Sequence, residues 1–210
     1  MRAFLLAGLI LVLTLGSAIA QDYQAGKQYH KVEPPQPTTT GNRIEVIEFF
    51  SYACPHCFDF QPKLERWLQG AGKDIELVRV PVTFDRSSWA LLAKAYYAEK
   101  ALNVVDKIHD PLFAAIHVKG QQFDNEQELA DFFAQHGVDR QAALGALNSF
   151  TVDVDLRRAK RMVRTYGVRG TPSMAVAGKY LVDPSDTGGQ EEMLKVVDFL
   201  INKERSSGKP

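Results

Sequence analysis

Cysteine is scarce in this chain of 210 residues: there are two, Cys54 and Cys57. That number excludes a multi-disulfide scaffold and a four-cysteine zinc site. Net charge is lacking as well, because Lys+Arg and Asp+Glu both stand at 25. Proteins that live on phosphate backbones are basic, so no nucleic-acid partner is expected. A hydrophobic fraction of 45% with 24% charged residues excludes disorder, collagen and coiled coil. Beyond residue 20 no apolar run approaches the roughly 20 residues that a membrane-spanning helix needs.

What is present begins with an export signal. Arg2 supplies a positive start, Ala3 to Leu15 is apolar and uncharged, and Ala18-Ile19-Ala20 is a small-x-small cleavage site. The run is short for a membrane anchor, so residues 1–20 are expected to be removed, leaving a mature chain from Gln21. Export places the chain in an oxidising compartment, and the two cysteines are to be interpreted in that light.

The rest of the chain reads as strand, helix, strand, then a helical block, then a hairpin and a final helix. A short strand is expected around Gln28 to Val32, followed by a loop stiffened by Pro34, Pro35 and Pro37. Ile44 to Phe50 (IEVIEFF) is apolar in both alternating phases despite Glu45 and Glu48, the signature of a central strand covered on both faces. A helix follows Cys54 and runs to about Gln69, and Ile75 to Val82 is the next strand, so the two strands are expected to pair in parallel. From Arg86 the spacing is helical. Segments are expected over about Arg86–Lys100, Pro111–Val118, Asn125–His136, Asp139–Asn148 and Asp153–Tyr166, the last with Gly167 as its cap. The hairpin turns at Gly178, and the last helix spans about Gly189 to Lys203.

Chemistry concentrates at Cys54-Pro55-His56-Cys57, a Cys-x-x-Cys motif at the junction of a strand and a helix. The first N–H groups of a helix are unpaired and its dipole is positive there, so an anion at that end is stabilised. The Cys54 thiol should therefore ionise easily, and the thiolate is the species that exchanges with disulfides. Cys57, a turn further on and less exposed, can attack and resolve a mixed disulfide. Pro55 fits the first turn, where its missing N–H costs nothing. His56 can add positive charge or a donor beside the thiolate. Stabilising the reduced thiolate makes the pair a disulfide donor. Two other uses of the motif stay open on spacing alone. One is an inert disulfide, a poor staple because its loop is so short. The other is a copper site using Cys54, Cys57 and a distant histidine. His30, His109, His117 and His136 show no metal-ligand spacing, so no metal is assigned.

With IEFFSYACPHCF (Ile47 to Phe58), the exported start, the helical block and VRGTPSMAVAGKY (Val168 to Tyr180), the sequence resembles the DsbA family of bacterial periplasmic thiol:disulfide oxidoreductases. The resemblance runs in order over nearly the whole mature chain. It implies an α/β fold: a thioredoxin-like domain, residues 21–85 and 160–210, with an inserted α-helical domain, residues 86–159. It further implies a periplasmic location, reduced unfolded exported proteins as substrates, and a membrane quinone-linked, DsbB-like protein as reoxidising partner. No cofactor is implied, and a monomer is the simpler state. A copper metallochaperone of the same fold, or a disulfide isomerase or reductase, is the alternative function.

Three further residues follow from the resemblance. Thr171-Pro172 should be a cis peptide facing the cysteines, with the Thr171 backbone able to pair with an extended substrate. Glu48, an acid inside an apolar strand, should have a raised pKa and move protons beneath the active site. Relatives often carry a lysine near this acid. Here the matching strand position is Arg79, which stays charged and is expected to pair with Glu48.

Overall fold

The computed structural model describes residues 22–208. The export segment and its cleavage point lie outside these residues. In chain order the elements are β1 (His30–Lys31), β2 (Ile44–Phe50), α1 (Pro55–Gly70), β3 (Ile75–Pro81), α2 (Ser87–Ala101), α3 (Val105–His117), α4 (Glu126–Gln135), α5 (Arg140–Leu147), α6 (Phe150–Tyr166), β4 (Ser173–Val176), β5 (Tyr180–Val182), α7 (Pro184–Thr187) and α8 (Gln190–Ser206). The strands form one sheet in the order β1-β5-β4-β2-β3. β2 pairs in parallel with β3 and antiparallel with β4, so β2 lies well inside the sheet.

The double-phase apolar pattern of β2 is explained by two cores. Successive side chains of a strand point to opposite faces. Ile44 and Val46 join Phe60 and Leu64 of α1, Met174 and Val176 of β4, and Met193, Val196, Val197 and Leu200 of α8. Ile47 and Phe49 join the larger core built with α2 to α6. All seven residues of β2 are buried. Glu45 is tolerated there because its Oε2 accepts from both the N–H and the hydroxyl of Thr39, each at 2.7 Å.

Helix α1 buries Cys57, Phe60, Gln61 and Leu64, one stripe at helical spacing. Phe58, Trp67 and Leu68 flank that stripe and are half-buried. The helix expected from Pro111 begins earlier, at Val105. Proline removes one backbone hydrogen bond, but Ile108, His109, Leu112, Phe113 and Ala115 are all buried, and their packing carries the helix through it. Helix α6 runs unbroken across positions 159 and 160, so the boundary expected there falls inside a helix. The short α7 has no counterpart among the expected elements.

The loop before β2 meets the hairpin at Gly178. Gln36 N donates to the Gly178 carbonyl at 2.8 Å. Gly178 has φ +68, and a Cβ there would lie 2.0 Å from the Gln36 carbonyl oxygen. Gly188 also has positive φ, +85, but faces open space. Gly178→Ala should therefore cost about 2 kcal/mol or more, backbone strain plus a collision with the main chain, whereas Gly188→Ala should cost only about 1 kcal/mol. Urea unfolding of the two variants tests this, and equal losses would mean the Gln36 contact is unimportant.

Candidate active site

The site is made where β2 ends and α1 begins. Ser51, Tyr52 and Ala53 form the turn. Cys54 N donates to the Ser51 carbonyl at 3.0 Å, and Ala53 N to the Ser51 hydroxyl at 3.2 Å. Cys54 is the N-cap of α1, with extended backbone (φ −94, ψ 115) and Pro55 directly after it. Its carbonyl accepts from Cys57 N at 3.1 Å and Phe58 N at 3.2 Å, the first bonds of the helix. An N-cap side chain ordinarily supplies an oxygen to the N–H groups two and three residues on. No side-chain cap of that kind is made here. The sulfur of Cys54 stands where that oxygen would be.

Opposite lies the Thr171-Pro172 loop, a cis peptide. In the thiol form Cys54 Sγ donates to the Thr171 carbonyl at 3.3 Å. The loop is pinned by the buried Ser173, whose hydroxyl lies 2.9 Å from the Gly170 carbonyl and 3.2 Å from Asp183 Oδ2. Both cysteines are free thiols and buried, Cys54 at 6% exposure and Cys57 at 0%.

The two sulfurs are electrostatically unlike. Cys54 is held down to about 5, below the usual thiol range. The Cys57 thiol hydrogen-bonded to it is the largest cause; burial opposes, and Thr171 and the N–H groups of Cys57 and His56 add to the lowering. Cys57 is pushed far up, first by burial, then by its hydrogen bond to Cys54 and by the charges of Cys54 and Glu48. The N-terminal sulfur is thus the anion and its neighbour the proton holder.

Glu48 is fully buried. Gln61 Nε2 donates to its Oε1 and Arg79 Nε to its Oε2, each at 3.0 Å. Arg79 stands directly across from Glu48 in the β2–β3 register. Burial raises the Glu48 pKa, and Arg79 and Gln61 only partly offset it. For Arg79 burial opposes charge, but Glu48, Tyr96 and Tyr52 more than compensate, so it stays a cation. The expected pairing is therefore present.

Pro55 and His56 are exposed on the rim. The His56 carbonyl accepts from Gln190 Nε2 at 2.7 Å, and Gln190 Oε1 accepts from Lys63 at 2.9 Å. His56, Lys63, Thr171, Pro172, Ser185 and Gln190 line a cleft of about 570 Å³ beside the cysteines. Sequence reasoning missed Gln190. It also missed Tyr52, whose carbonyl accepts from His117 Nε2 at 2.7 Å and whose hydroxyl is buried against Glu99 and His109. Glu99 and His109 gave a signal, polar residues on the buried stripes of α2 and α3, but no partner could be named from spacing. Among the described residues no group of three or more His, Cys, Asp or Glu is placed to hold a metal ion, and no helix is long and apolar enough to cross a membrane.

Known proteins are similar to this chain in sequence and fold. The model of the DSBA-like thioredoxin domain matches residues 45–194. The chain is 36% identical over 211 aligned positions to the thiol:disulfide interchange protein DsbA of Pseudomonas aeruginosa, covering all of both chains. It is 37% identical to the protein of that name from Azotobacter vinelandii, over 89% of this chain and 86% of the other. The crystal structure of Pseudomonas aeruginosa DsbA superposes with a TM-score of 0.84 at 37% identity, covering 90% of this chain and 97% of that one. Oxidoreductase DsbA from Xylella fastidiosa gives 0.82 at 32% identity, covering 88% and 98%.

The electrostatic asymmetry sets a pH dependence. The folded reduced form has Cys54 at about 5, against about 8.5 for an unperturbed thiol. The added stability of the reduced form is complete above the ordinary thiol range, shrinks as pH falls, and is gone below about 5. Reduction takes up two protons below that pH and one above it. The reduction potential should therefore fall by ~59 mV per pH unit at lower pH and by ~30 mV per unit at higher pH. Thiolate absorbance and redox equilibration against glutathione check this. A single steep slope up to pH 8 would show that Cys54 is an ordinary thiol.

Proposed function

This chain belongs to the DSBA-like thioredoxin domain family and is a thiol:disulfide oxidoreductase, and from that premise we propose that it works as a disulfide donor to exported proteins. The observation that carries the direction is the placement of Cys54 at the N-cap of α1, where its thiol is held low, with Cys57 buried behind it and pushed up. An oxidant is a disulfide whose reduced form is the more comfortable.

The steps follow from those two sulfurs. In the oxidised enzyme a substrate thiolate attacks Cys54 Sγ, the Cys54–Cys57 bond breaks, and Cys57 leaves with the electron pair. Cys57 is the poorer anion, so it takes a proton; Glu48, which bears on its ionisation, is the buried acid suited to deliver it. A second substrate thiolate then attacks the substrate sulfur of the mixed disulfide. Cys54 departs as a thiolate, which the N-terminus of α1 stabilises. The substrate has lost two electrons and the enzyme has gained them.

Pro55 and His56 set the shape and polarity of the rim. Thr171 and Pro172 offer main chain for an extended substrate to lie against, and the cleft beside them gives its neighbouring side chains a place. Glu48 and Arg79 form the buried ion pair beneath the cysteines. We assign residues 21–85 and 160–210 to the thioredoxin-like domain and residues 86–159 to the helical insert, the second join falling within the continuous helix α6. The setting we infer is the periplasm, reached through the residue 1–20 signal, with a monomer reoxidised by a membrane quinone-linked partner of the DsbB kind. The cysteine chemistry favours this over a copper carrier, because it explains why one sulfur is ionised and the other is not.

Two substitutions test the scheme. Cys54→Ala should reduce oxidation of a reduced, unfolded substrate to background. Cys57→Ala should accumulate enzyme–substrate mixed disulfides visible on non-reducing gels. Purified wild-type protein carrying one equivalent of copper and lacking oxidase activity would replace this proposal with the metallochaperone one.

A further inference from the structure

Behind the turn that carries Cys54 lies a second polar cluster, which the exchange steps do not use. Tyr52 turns its ring inward between Phe50, Phe113 and His109. Its Oη is 2.8 Å from both carboxyl oxygens of Glu99 on α2 and 2.6 Å from Nδ1 of His109 on α3. Tyr52 and Glu99 are at 1% and 0% exposure, and His109 is at 5%. The Tyr52 carbonyl accepts from His117, also on α3, and His117 stacks on Phe58 of α1 at 5.2 Å between ring centres. Two helices of the helical block therefore meet on one residue, and that residue precedes the reactive cysteine by two positions.

Counting protons decides what the cluster is. Two partners, Glu99 and His109, meet at Oη, and a hydroxyl carries one proton, so a second must come from one of them. In one arrangement His109 Nδ1–H donates to Oη, Tyr52 donates to Glu99, and Glu99 is a buried carboxylate. In the other Glu99 is a carboxylic acid donating to Oη, Tyr52 donates to Nδ1, and the imidazole proton sits on Nε2. The first leaves an anion in the core held by a single hydroxyl, whereas the second leaves the proton on His109 Nε2 without a partner, the smaller cost because that donor is neutral. The nearby cation, Arg79, already holds Glu48. The groups facing Glu99 are Tyr52 from the turn, Arg79 from β3 and Asp110 from α3, with Tyr96 on α2 itself and His109 beside Tyr52. Of these Asp110 works against a charge on Glu99 and burial does so most. Burial likewise holds His109 neutral, at about 3.

We propose that Glu99, Tyr52 and His109 form an uncharged hydrogen-bonded chain, Glu99 to Tyr52 to His109 Nδ1, which acts with His117 as a positioning device for the Cys54 turn. Tyr52 is the positioning residue, and the helical block grips the active site through it. Cys54 has no side-chain cap of its own to hold its backbone, so its alignment with the α1 N–H groups depends on how the preceding turn is held. The inference rests on Cys54 being the attacking thiolate.

The experiment has three parts, on the full reduced protein. Nitrogen NMR of wild-type His109 should show the proton on Nε2; a proton on Nδ1 would mean an ionised Glu99 and overturn the uncharged chain. Glu99→Gln keeps a donor to Tyr52, so it should leave the Cys54 titration near its wild-type midpoint, while Glu99→Ala and Tyr52→Phe should raise that midpoint by about half a unit or more, a roughly threefold fall in the thiolate-to-thiol ratio at fixed pH. If Glu99→Ala and Tyr52→Phe lower the melting temperature but leave the midpoint unmoved, the cluster is only structural. Should Tyr52→Phe fail to fold, the Glu99 pair and the wild-type NMR still decide. A wild-type midpoint in the ordinary thiol range is a different failure, because it removes the proposed exchange mechanism itself.

Discussion

Everything at the active site depends on a sulfur anion occupying the cap position of a helix. The first turn of α1 presents N–H groups that an ordinary helix would satisfy with Ser, Asp or Asn. At Cys54 the sequence supplies a thiol instead, and Pro55 removes one donor that would otherwise need a partner. Capping and ionisation are then one event: losing the proton makes the sulfur a better cap, and the unsatisfied N–H groups favour losing it. A disulfide at the same place cannot carry the charge, so the helix end is better served by the reduced form. The strength of the enzyme as an oxidant is, on this account, a property of a helix terminus.

The buried acids obey the same logic with the sign reversed. Among the buried acids are Glu45, Glu48 and Glu99, and each is accommodated differently. Glu45 is met by two donors from Thr39, close to the loop that packs on the hairpin. Glu48 is met by Arg79 and Gln61, yet its pKa still stands raised, so it can change protonation state without leaving its place. Glu99 meets a tyrosine hydroxyl and no hydrogen-bonded cation. Glu48, the acid proposed to pass a proton to Cys57, is held in place by a cation that stays charged. Arginine suits that task, since lysine beside it could itself give up a proton.

Much of this was legible because the relevant signals are local. An apolar run in both phases identified β2, the spacing and context of Cys54 and Cys57 identified the motif, and Asn125 and Asp139, where two helices were expected to start, are the caps of α4 and α5, each accepting from an N–H within the first turn. The start of α3 was not legible. Val104 offers no side-chain cap, and Pro111 looks like a beginning rather than an interior position. Gln190 was hidden for another reason. Its bond to the His56 carbonyl joins residues 134 positions apart, and a glutamine at the start of a helix carries no mark of its partner. The Tyr52–Glu99–His109 cluster has the same character. Polar residues on buried faces announce that partners exist, whereas only the packing of α2 and α3 on the turn says which ones.

The packing also limits how a substrate can reach the sulfur. Behind Cys54 the turn is filled by Tyr52 and backed by His117; beneath it lies Cys57, with Glu48 and Arg79 in the layer below. The exposed residues of the motif, Pro55 and His56, lie forward along α1, with the His56 carbonyl already taken by Gln190. The remaining approach is from the Thr171 side, where the sulfur itself now touches the carbonyl at 3.3 Å. When the thiol proton is gone that contact loses its donor. The carbonyl is then left for an N–H from another chain. The ionised state of Cys54, the vacated carbonyl and the neighbouring cleft thus belong to one condition of the site, and an extended peptide is the ligand whose main chain answers it.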